Sequence, residues 1–125
     1  MANTFTVGEI EDRARLNLLD TNQEAYRFER KEVYVAIASA VQEVRTARPV
    51  SRYVNGLLAA NVKFEHDIPV SPTDSFRNSV IQMERQWMDA VTYRVVHQLY
   101  LKDDPDTANQ GLAQKYLELY ARALQ

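Results

Sequence analysis

The sequence predicts an all-α fold: a small bundle of about four helices, with a long irregular or hairpin-like segment between the second and third helices. Three observations support this prediction. The 125 residues include only 3 glycines, and glycine supplies the positive φ that tight hairpins and phosphate-binding loops need. The chain has no cysteine, so its stability must come from packing. Apolar residues recur at helical spacing along most of its length.

A chain of this length supports one hydrophobic core. We therefore expect residues 1–125 to form a single helical domain, in which residues 50–71 are an extended arm or loop. No apolar run reaches the length of a membrane span, and the first residues lack the basic and apolar regions of a signal peptide. We expect neither a membrane anchor nor a secretory signal.

The first helix is predicted to run from Val7 to about Leu18. Thr6 and Glu9 have the spacing of a capping box, in which each side chain bonds the backbone amide of the other. Apolar residues then recur at helical spacing, at Val7, Ile10, Ala14 and Leu18.

The second helix is predicted to begin near Glu29 or Arg30 and to end before Pro49. The residue before a proline is disfavoured in the α conformation, so a helix usually stops there. Its apolar stripe consists of Val33, Ile37, Ala40, Val41 and Val44.

Helical periodicity is lost between residues 50 and 71. Tyr53-Val54 before Asn55-Gly56 is typical of a strand entering a tight turn, whereas residues 57–60 equally suit a short helical turn. We leave both alternatives open. A connection this long is commonly functional, which makes the segment the first candidate for an interaction.

The third helix is predicted from about Pro72 to Leu101, with Ser71 as its N-cap. A break at 102–107 precedes a fourth helix, whose apolar stripe is Leu112, Tyr116, Leu119, Tyr120 and Ala123. Across the four helices, the residues predicted to form the core are Ile10, Val33, Ile37, Val44, Phe76, Val80, Met83, Trp87 and Leu112.

Charge is unevenly distributed along the chain. The formal net charge is −2, but residues 1–26 carry −3 and residues 27–52 carry +3. Opposite blocks of charge suit contacts between copies of one chain. The alternative is a solvated helix surface with local salt bridges, which contribute little to stability.

No residues are predicted to be catalytic, to bind a metal or to hold a cofactor, and we expect the protein not to be an enzyme. His66 lies between Glu65 and Asp67, but neighbours in sequence point in different directions and rarely converge on one ion. His97 has no carboxylate or second histidine at helical spacing, so it is interpreted as a histidine at the edge of the core.

Arginine and tyrosine are more numerous than the predicted core requires, and both are enriched at protein interfaces. Arg45, Arg48, Arg52 and Tyr53 cluster at the end of the second helix. Arginine beside an aromatic ring also suits nucleic acid. A helix-turn-helix-like DNA-binding module is therefore the alternative function, although the acidic net charge argues against it.

Two blocks of the sequence contain the residues at which predicted helices begin and end. In the first, Arg27-Phe28-Glu29 leads into a helix that ends VQEVRTARP at 41–49. In the second, AVTYRVV at 90–96 leads through YLKD at 100–103 to Ala108-Asn109, Ala113 and Tyr116. In this order and at this length, the blocks resemble the small helical head-to-tail adaptor (connector) proteins of tailed bacteriophages. The chain departs from them at Val41, where a polar residue is common, and at residues 50–71, which do not align.

The resemblance implies a virion structural protein located in the neck between capsid and tail, after assembly in the host cytoplasm. Copies would form a ring, typically dodecameric, on the portal protein. The ring would extend the channel through which genomic DNA passes and would present a docking surface for tail or head-closure proteins. An isolated subunit can be monomeric, because ordering an arm on assembly has a conformational cost.

Within this interpretation, two groups of residues are expected at contacts with another subunit, the portal or the tail. The first group is Arg45, Arg48, Arg52 and Tyr53. The second lies on the last helix and consists of Tyr116, Tyr120 and Leu124.

Overall fold

A computed structural model of the chain describes residues 4–18, 28–59, 68, 74–102 and 107–125. The described residues contain four α helices: α1 (Val7–Leu18), α2 (Arg30–Ala47), α3 (Met88–Lys102) and α4 (Thr107–Ala123). They also contain four short strands: β1 (Thr4–Thr6), β2 (Tyr53–Val54), β3 (Leu57–Leu58) and β4 (Val80–Glu84). The predicted small, mostly helical bundle is confirmed.

The first helix has the predicted bounds and start. The Glu9 backbone N–H donates to Thr6 Oγ1 at 3.3 Å, which satisfies one of the amides that a helix start leaves without an intrahelical partner. Thr6 is also the last residue of β1, which was not predicted. The Val7 N–H donates to the Ser79 carbonyl at 3.0 Å, so the start of α1 is fastened to the segment before β4.

Helix α2 begins at Arg30 and ends at Ala47, before Pro49, as predicted. A single 3₁₀ turn, Pro49–Arg52, leads directly into β2. Strands β2 and β3 pair antiparallel around Asn55 and Gly56, whose φ angles of 52° and 81° are the positive values that a two-residue type I′ hairpin needs. Of the two alternatives left open for residues 57–60, the structure has a strand at 57–58; residues 60–67 lie outside the described residues.

The continuous third helix predicted from Pro72 to Leu101 is wrong. Its expected start at Ser71 and Pro72 lies outside the described residues, and Asp74–Asn78 form a 3₁₀ turn. Strand β4 and a second 3₁₀ turn, Arg85–Trp87, then precede α3.

Strand formation at β4 has a physical cause in its partner. Ile81 and Met83 point into the core while Val80 and Gln82 point outward, the two-residue alternation of a half-buried strand. Phe5 of β1 is paired with Ile81, so β1 provides an antiparallel partner strand for β4. Tertiary pairing thus overrides a spacing of apolar residues that also suits a helix.

Most of the predicted core lies buried. Ile10, Val33, Ile37, Val44 and Met83 are fully buried, Trp87 is almost so, and Phe76 is half-buried against the Tyr34 ring, with 5.0 Å between ring centroids.

Two core predictions are wrong. Val80 is 47% exposed because it lies on the outward face of β4. Leu112 is 37% exposed because α4 turns Ala113, Tyr116 and Tyr120 toward the core instead. Helix α3 packs against each of the other three helices and so forms the centre of the bundle. None of the helices in the described part of the chain combines the length and apolar character needed to cross a bilayer.

Candidate interaction surface

The β2–β3 hairpin and the 3₁₀ turn before it carry large apolar side chains that the subunit leaves exposed. Val50 is 56% exposed, Tyr53 46%, Leu57 75% and Leu58 65%. Tyr53 is paired directly with Leu58, so these two side chains lie on one face of the hairpin. We call Val50, Tyr53, Leu57 and Leu58 the hairpin patch. Leu57 is paired with Val54 and lies on the opposite face, so exposed apolar side chains are present on both faces of the hairpin. A concentration of large exposed apolar side chains on one part of the surface is a feature of protein interaction sites.

The hairpin is held in place by polar contacts at its tip and its base. At the tip, the Asn55 N–H donates to Glu84 Oε1 at 3.1 Å. At the base, the Ala59 N–H donates to the Arg52 carbonyl at 2.8 Å, and the buried Ser51 hydroxyl donates to the Val44 carbonyl at 3.3 Å. These bonds connect the hairpin to α2 and β4, so the patch is presented on a supported element.

The three arginines predicted at an interface differ in their burial and in their hydrogen-bond partners. Arg45 is buried, and its guanidinium donates to the Ala59 carbonyl at 3.5 Å; burial, followed by the charge of Arg52, lowers the pKa of Arg45. Arg52 is half-buried, and its Nε donates to the Arg45 carbonyl at 3.0 Å. These two residues brace the hairpin base. Arg48 is exposed and precedes the hairpin patch in sequence, so its charge is available to a partner.

The predicted aromatic residues of the last helix are packed within the subunit. Tyr116 and Tyr120 are both buried, and burial raises the pKa of each phenol. Tyr116 stacks near Tyr100, with 5.9 Å between centroids, and donates to Asn17 Oδ1 at 3.0 Å. This burial corrects the expectation that the two rings are displayed at an interface. Leu124 is half-buried against the core.

A second surface feature lies between α1 and α3. It is a groove of about 350 Å³, which we call the α1–α3 groove, and its lining is Arg13, Leu16, Asn17, Asp89, Thr92 and Tyr93. Leu16 is 65% exposed, and Arg13 and Asp89 form an exposed ion pair at 3.2 Å. The groove therefore combines an apolar side chain, an aromatic ring and a neutral pair of charges.

Helices α2, α3 and α4 are joined by a cluster of charged and aromatic side chains. Arg94 of α3 makes a two-pronged ion pair with Glu43 of α2, and its guanidinium lies 5.6 Å from the centroid of the Tyr120 ring. Arg94 also lies 2.6 Å from Nδ1 of His97. Because arginine can only donate, Nδ1 must accept, which requires a neutral imidazole.

The environment of His97 makes stability depend on pH. Burial, followed by the positive charge of Arg94, lowers the pKa of His97 below its ordinary value of 6.5, while Glu43 opposes the shift. The folded state therefore binds a proton at His97 less readily than the unfolded state does. The contribution of neutral His97 to the free energy of unfolding is complete above about pH 6.5 and is lost as the pH falls through the pKa of the folded state.

We expect the free energy of unfolding to decrease as the pH falls below about 6.5, and we expect His97→Gln to flatten this decrease. Urea denaturation of the original protein and of the variant, at pH values on both sides of 6.5, measures the change in the free energy of unfolding. An unchanged pH dependence in His97→Gln would assign the effect to other groups.

A buried ionic network was missed by the sequence analysis. Glu11 is fully buried on α1 and forms an ion pair with Arg15 at 3.2 Å, with Arg77 at 3.4 Å from the turn before β4, and with Arg30 at 3.9 Å. The Tyr34 hydroxyl donates to Glu11 Oε1 at 3.2 Å, and burial together with the Glu11 charge raises the pKa of Tyr34 to about 12. A signal was present, since Glu11 and Arg15 adjoin Ile10 and Ala14 on the apolar face of α1.

This network holds elements together. Arg77 also pairs with the largely exposed carboxylate of Asp12 at 2.5 Å, so the network continues from the buried Glu11 to the surface. Among the described residues, no group of three or more histidine, aspartate or glutamate side chains could hold a metal ion. The Glu65-His66-Asp67 sequence lies outside the described residues.

Comparison of the chain with protein-family models, with curated proteins and with solved structures gave no match. The function is therefore argued from the sequence and from the surface described above.

Proposed function

We propose that this chain is a virion structural protein of a tailed bacteriophage, a head-to-tail adaptor that assembles as a ring on the portal. The ring, dodecameric in this proposal, extends the DNA channel and provides a docking surface for tail or head-closure proteins in the neck of the virion. The observation that carries the proposal is the hairpin patch. Its apolar side chains are exposed in a single subunit, and the hairpin is held in place by hydrogen bonds to the rest of the fold.

Two further features support an assembly role. The exposed Arg48 adjoins the patch in sequence, and arginine beside tyrosine and leucine is typical of the centre and rim of protein interfaces. The opposite charges of residues 1–26 and 27–52 suit a head-to-tail contact, in which one face of a subunit meets a different face of the next. The sequence blocks that resemble the phage adaptors include the end of α2 from which the hairpin leaves.

Electron microscopy of the chain mixed with the portal protein encoded by the same genome tests the proposal. We expect rings of the chain seated on portal particles. Subunits that stay monomeric and unattached in this mixture would overturn the adaptor function.

Charge reversal of the exposed arginine sharpens the same experiment. We expect Arg48→Glu to reduce ring formation while leaving the helical circular dichroism signal unchanged, because the side chain is exposed and outside the core. Arg122→Glu is the matched control, since Arg122 is also an exposed arginine, but on α4. Equal ring formation by the two variants would remove Arg48 from the interface.

The alternative of a helix-turn-helix-like DNA-binding module makes a different prediction. Such a protein would bind duplex DNA at low salt, with an affinity that falls steeply as salt is added. The buried Arg45 and the half-buried Arg52 donate to carbonyls of their own hairpin, which leaves less of the basic cluster for phosphate. Absence of duplex binding at low salt would remove this alternative.

A further inference from the structure

A small recess lies near the carboxyl-terminal end of α2, where the 3₁₀ turn Pro49–Arg52 follows the helix. It has a volume of about 280 Å³, and its described lining consists of Gln42, Arg45, Thr46 and Arg52. Arg45 and Thr46 follow Gln42 by three and four residues, so these three side chains share one face of α2. We call this recess the arginine pocket.

Two positive charges meet in the arginine pocket. Its described lining contains two arginines and no acidic side chain, which gives a formal charge of +2. Within the part of the chain that the structure describes, neither Arg45 nor Arg52 forms an ion pair with a carboxylate. Burial of Arg45 and repulsion from Arg52 lower the pKa of Arg45, as expected for two like charges held close together.

The end of α2 does not by itself balance these charges. The negative end of a helix is equivalent to about half an elementary charge. Its carbonyls also have other donors, because the Val44 carbonyl accepts from the Ser51 hydroxyl and the Arg45 carbonyl accepts from Arg52 Nε. The described residues therefore leave most of the positive charge in the pocket without compensation.

Both guanidinium groups are oriented by a backbone contact and keep further donors. Arg45 donates to the Ala59 carbonyl at 3.5 Å, and Arg52 Nε donates to the Arg45 carbonyl at 3.0 Å. An arginine has five N–H donors, so each side chain keeps N–H groups beyond the one that this contact uses. Oriented guanidinium groups suit an oxygen anion, because a cationic N–H forms short, strong hydrogen bonds to charged oxygen.

We propose that the arginine pocket binds one doubly charged oxyanion of the phosphate class, held between the guanidinium groups of Arg45 and Arg52. A dianion matches the formal charge of the pocket, whereas a single carboxylate would neutralise only half of it. The bound ion joins α2 to the turn that leads into the β2–β3 hairpin, and it therefore stabilises the base of the hairpin. This site goes beyond the proposed adaptor function, because both arginines belong to a single subunit.

The burial of the pocket favours a free ion as the source of the phosphate group. Arg45 is only 7% exposed, so an anion must enter the recess to reach it. A protein that binds the backbone of a DNA duplex normally presents several cations to a row of phosphates. Of the three arginines at this end of α2, Arg48 is the exposed one. The pocket therefore suits inorganic phosphate better than a duplex.

Calorimetric titration of the full chain with inorganic phosphate tests the site. The titration is made in chloride at constant ionic strength and at about pH 8, where phosphate carries close to two charges. Sulfate is the second dianion, acetate is a carboxylate with one charge, and a DNA duplex supplies phosphodiesters.

Three variants are compared with the original chain. Arg52→Gln removes one guanidinium group from the pocket. Gln42→Glu keeps both arginines and nearly the same shape, and it adds a carboxylate to the lining. Arg122→Gln is the matched control, because Arg122 is exposed on α4 and does not line the pocket. Circular dichroism confirms that each variant is folded.

We expect phosphate and sulfate to bind the original chain and Arg122→Gln equally and to raise the urea midpoint of both, because a ligand of the folded state stabilises it. Arg52→Gln is expected to bind phosphate at least about tenfold more weakly, since charge-assisted hydrogen bonds are lost. Gln42→Glu is expected to lose phosphate binding, because its new carboxylate compensates the arginines. This second variant keeps the test decisive where Arg52→Gln disturbs the turn.

Equal phosphate affinity in Gln42→Glu and Arg122→Gln would overturn the inference, as would absence of phosphate and sulfate binding to the original chain. Acetate that binds as tightly as phosphate would reject a dianion site. A duplex that binds more tightly than free phosphate, and loses this binding in Arg52→Gln, would reject the free ion as the ligand. Ring formation on the portal is a separate measurement, so the adaptor function can fail while the oxyanion site stands, and the reverse.

Discussion

Replacing Glu11 by glutamine is expected to lower the free energy of unfolding by about 3–5 kcal/mol, the loss typical of removing one member of a buried ion pair. Glu11 is completely buried, and its partner Arg15 is only 2% exposed. Glutamine has nearly the same shape but no charge, so the positive charge of Arg15 would stay in the core without the carboxylate that compensates it.

Replacing Glu11 also removes the charged partner of residues other than Arg15. The Tyr34 hydroxyl donates to Glu11 Oε1, and a hydrogen bond to a charged acceptor contributes about 1.5–3 kcal/mol. Arg77 reaches Glu11 from the turn before β4, so the carboxylate also joins α1 to that turn. These contributions are not additive, because all of them share one carboxylate.

Urea denaturation followed by circular dichroism measures the effect. Glu9→Gln is the matched control on the same helix, because Glu9 is partly exposed and pairs with Arg85 at the surface. Its expected cost is below about 1 kcal/mol, as for other exposed ion pairs. Replacing Glu11 and Arg15 together by methionine should cost less than Glu11→Gln alone, since the fully buried charge of Arg15 is removed with its partner and Arg77 keeps its ion pair with Asp12. Equal losses in Glu11→Gln and Glu9→Gln would show that the Glu11 network contributes no more than a surface pair.

Trp87→Ala is expected to cost about 3–5 kcal/mol, because it removes the largest side chain of the core and leaves a cavity. Trp87 is 6% exposed and lies in the 3₁₀ turn that joins β4 to α3. The side chain therefore packs at the point where the chain changes from strand to helix, and its loss should loosen both elements.

Thermal and urea denaturation followed by circular dichroism measure this change, since the variant lacks the only tryptophan and has no indole fluorescence. Val80→Ala is the control on β4: its side chain is 47% exposed, so its cost should be well below that of Trp87→Ala. A negligible change in Trp87→Ala would mean that the core lies on another face of this segment.

Local signals in the sequence predicted helices α1 and α2 almost to the residue. Thr6 caps the first helix, Pro49 ends the second, and Asn55-Gly56 forms the turn of the hairpin. Each signal acts on the backbone within a few residues, and therefore no knowledge of the tertiary structure is required to interpret it.

The prediction failed where a distant partner decides the structure. Val80, Met83 and Trp87 have a spacing that suits a helix, but Phe5 and its neighbours pair with the same segment and make it a strand. Leu112 was placed in the core because it began a helical stripe, yet α4 turns Ala113 inward instead. The burial of Glu11 was not predicted, because two of its partners, Tyr34 and Arg77, lie far away in sequence.

The sequence indicated the segment that carries the candidate site but not the roles of its individual residues. Loss of periodicity after residue 49 indicated an interaction segment, and the exposed hairpin patch lies there. The sequence alone could not distinguish the buried Arg45 from the exposed Arg48, because it is the fold that brings the Ala59 carbonyl next to Arg45. The α1–α3 groove is formed by residues from two separate helices, so no local pattern indicates it.

The pairing of β1 with β4 has a consequence for synthesis of the chain on the ribosome. Residues 4–6 bond to residues 80–84, and Asn17 receives a hydrogen bond from Tyr116, 99 positions later. At roughly 5–20 residues per second, the first helix emerges several seconds before these partners exist. A helix of 12 residues is marginal in isolation, so the amino-terminal segment must wait, largely unfolded, for the rest of the chain. A nascent chain therefore acquires its complete core only when its last helix has been made.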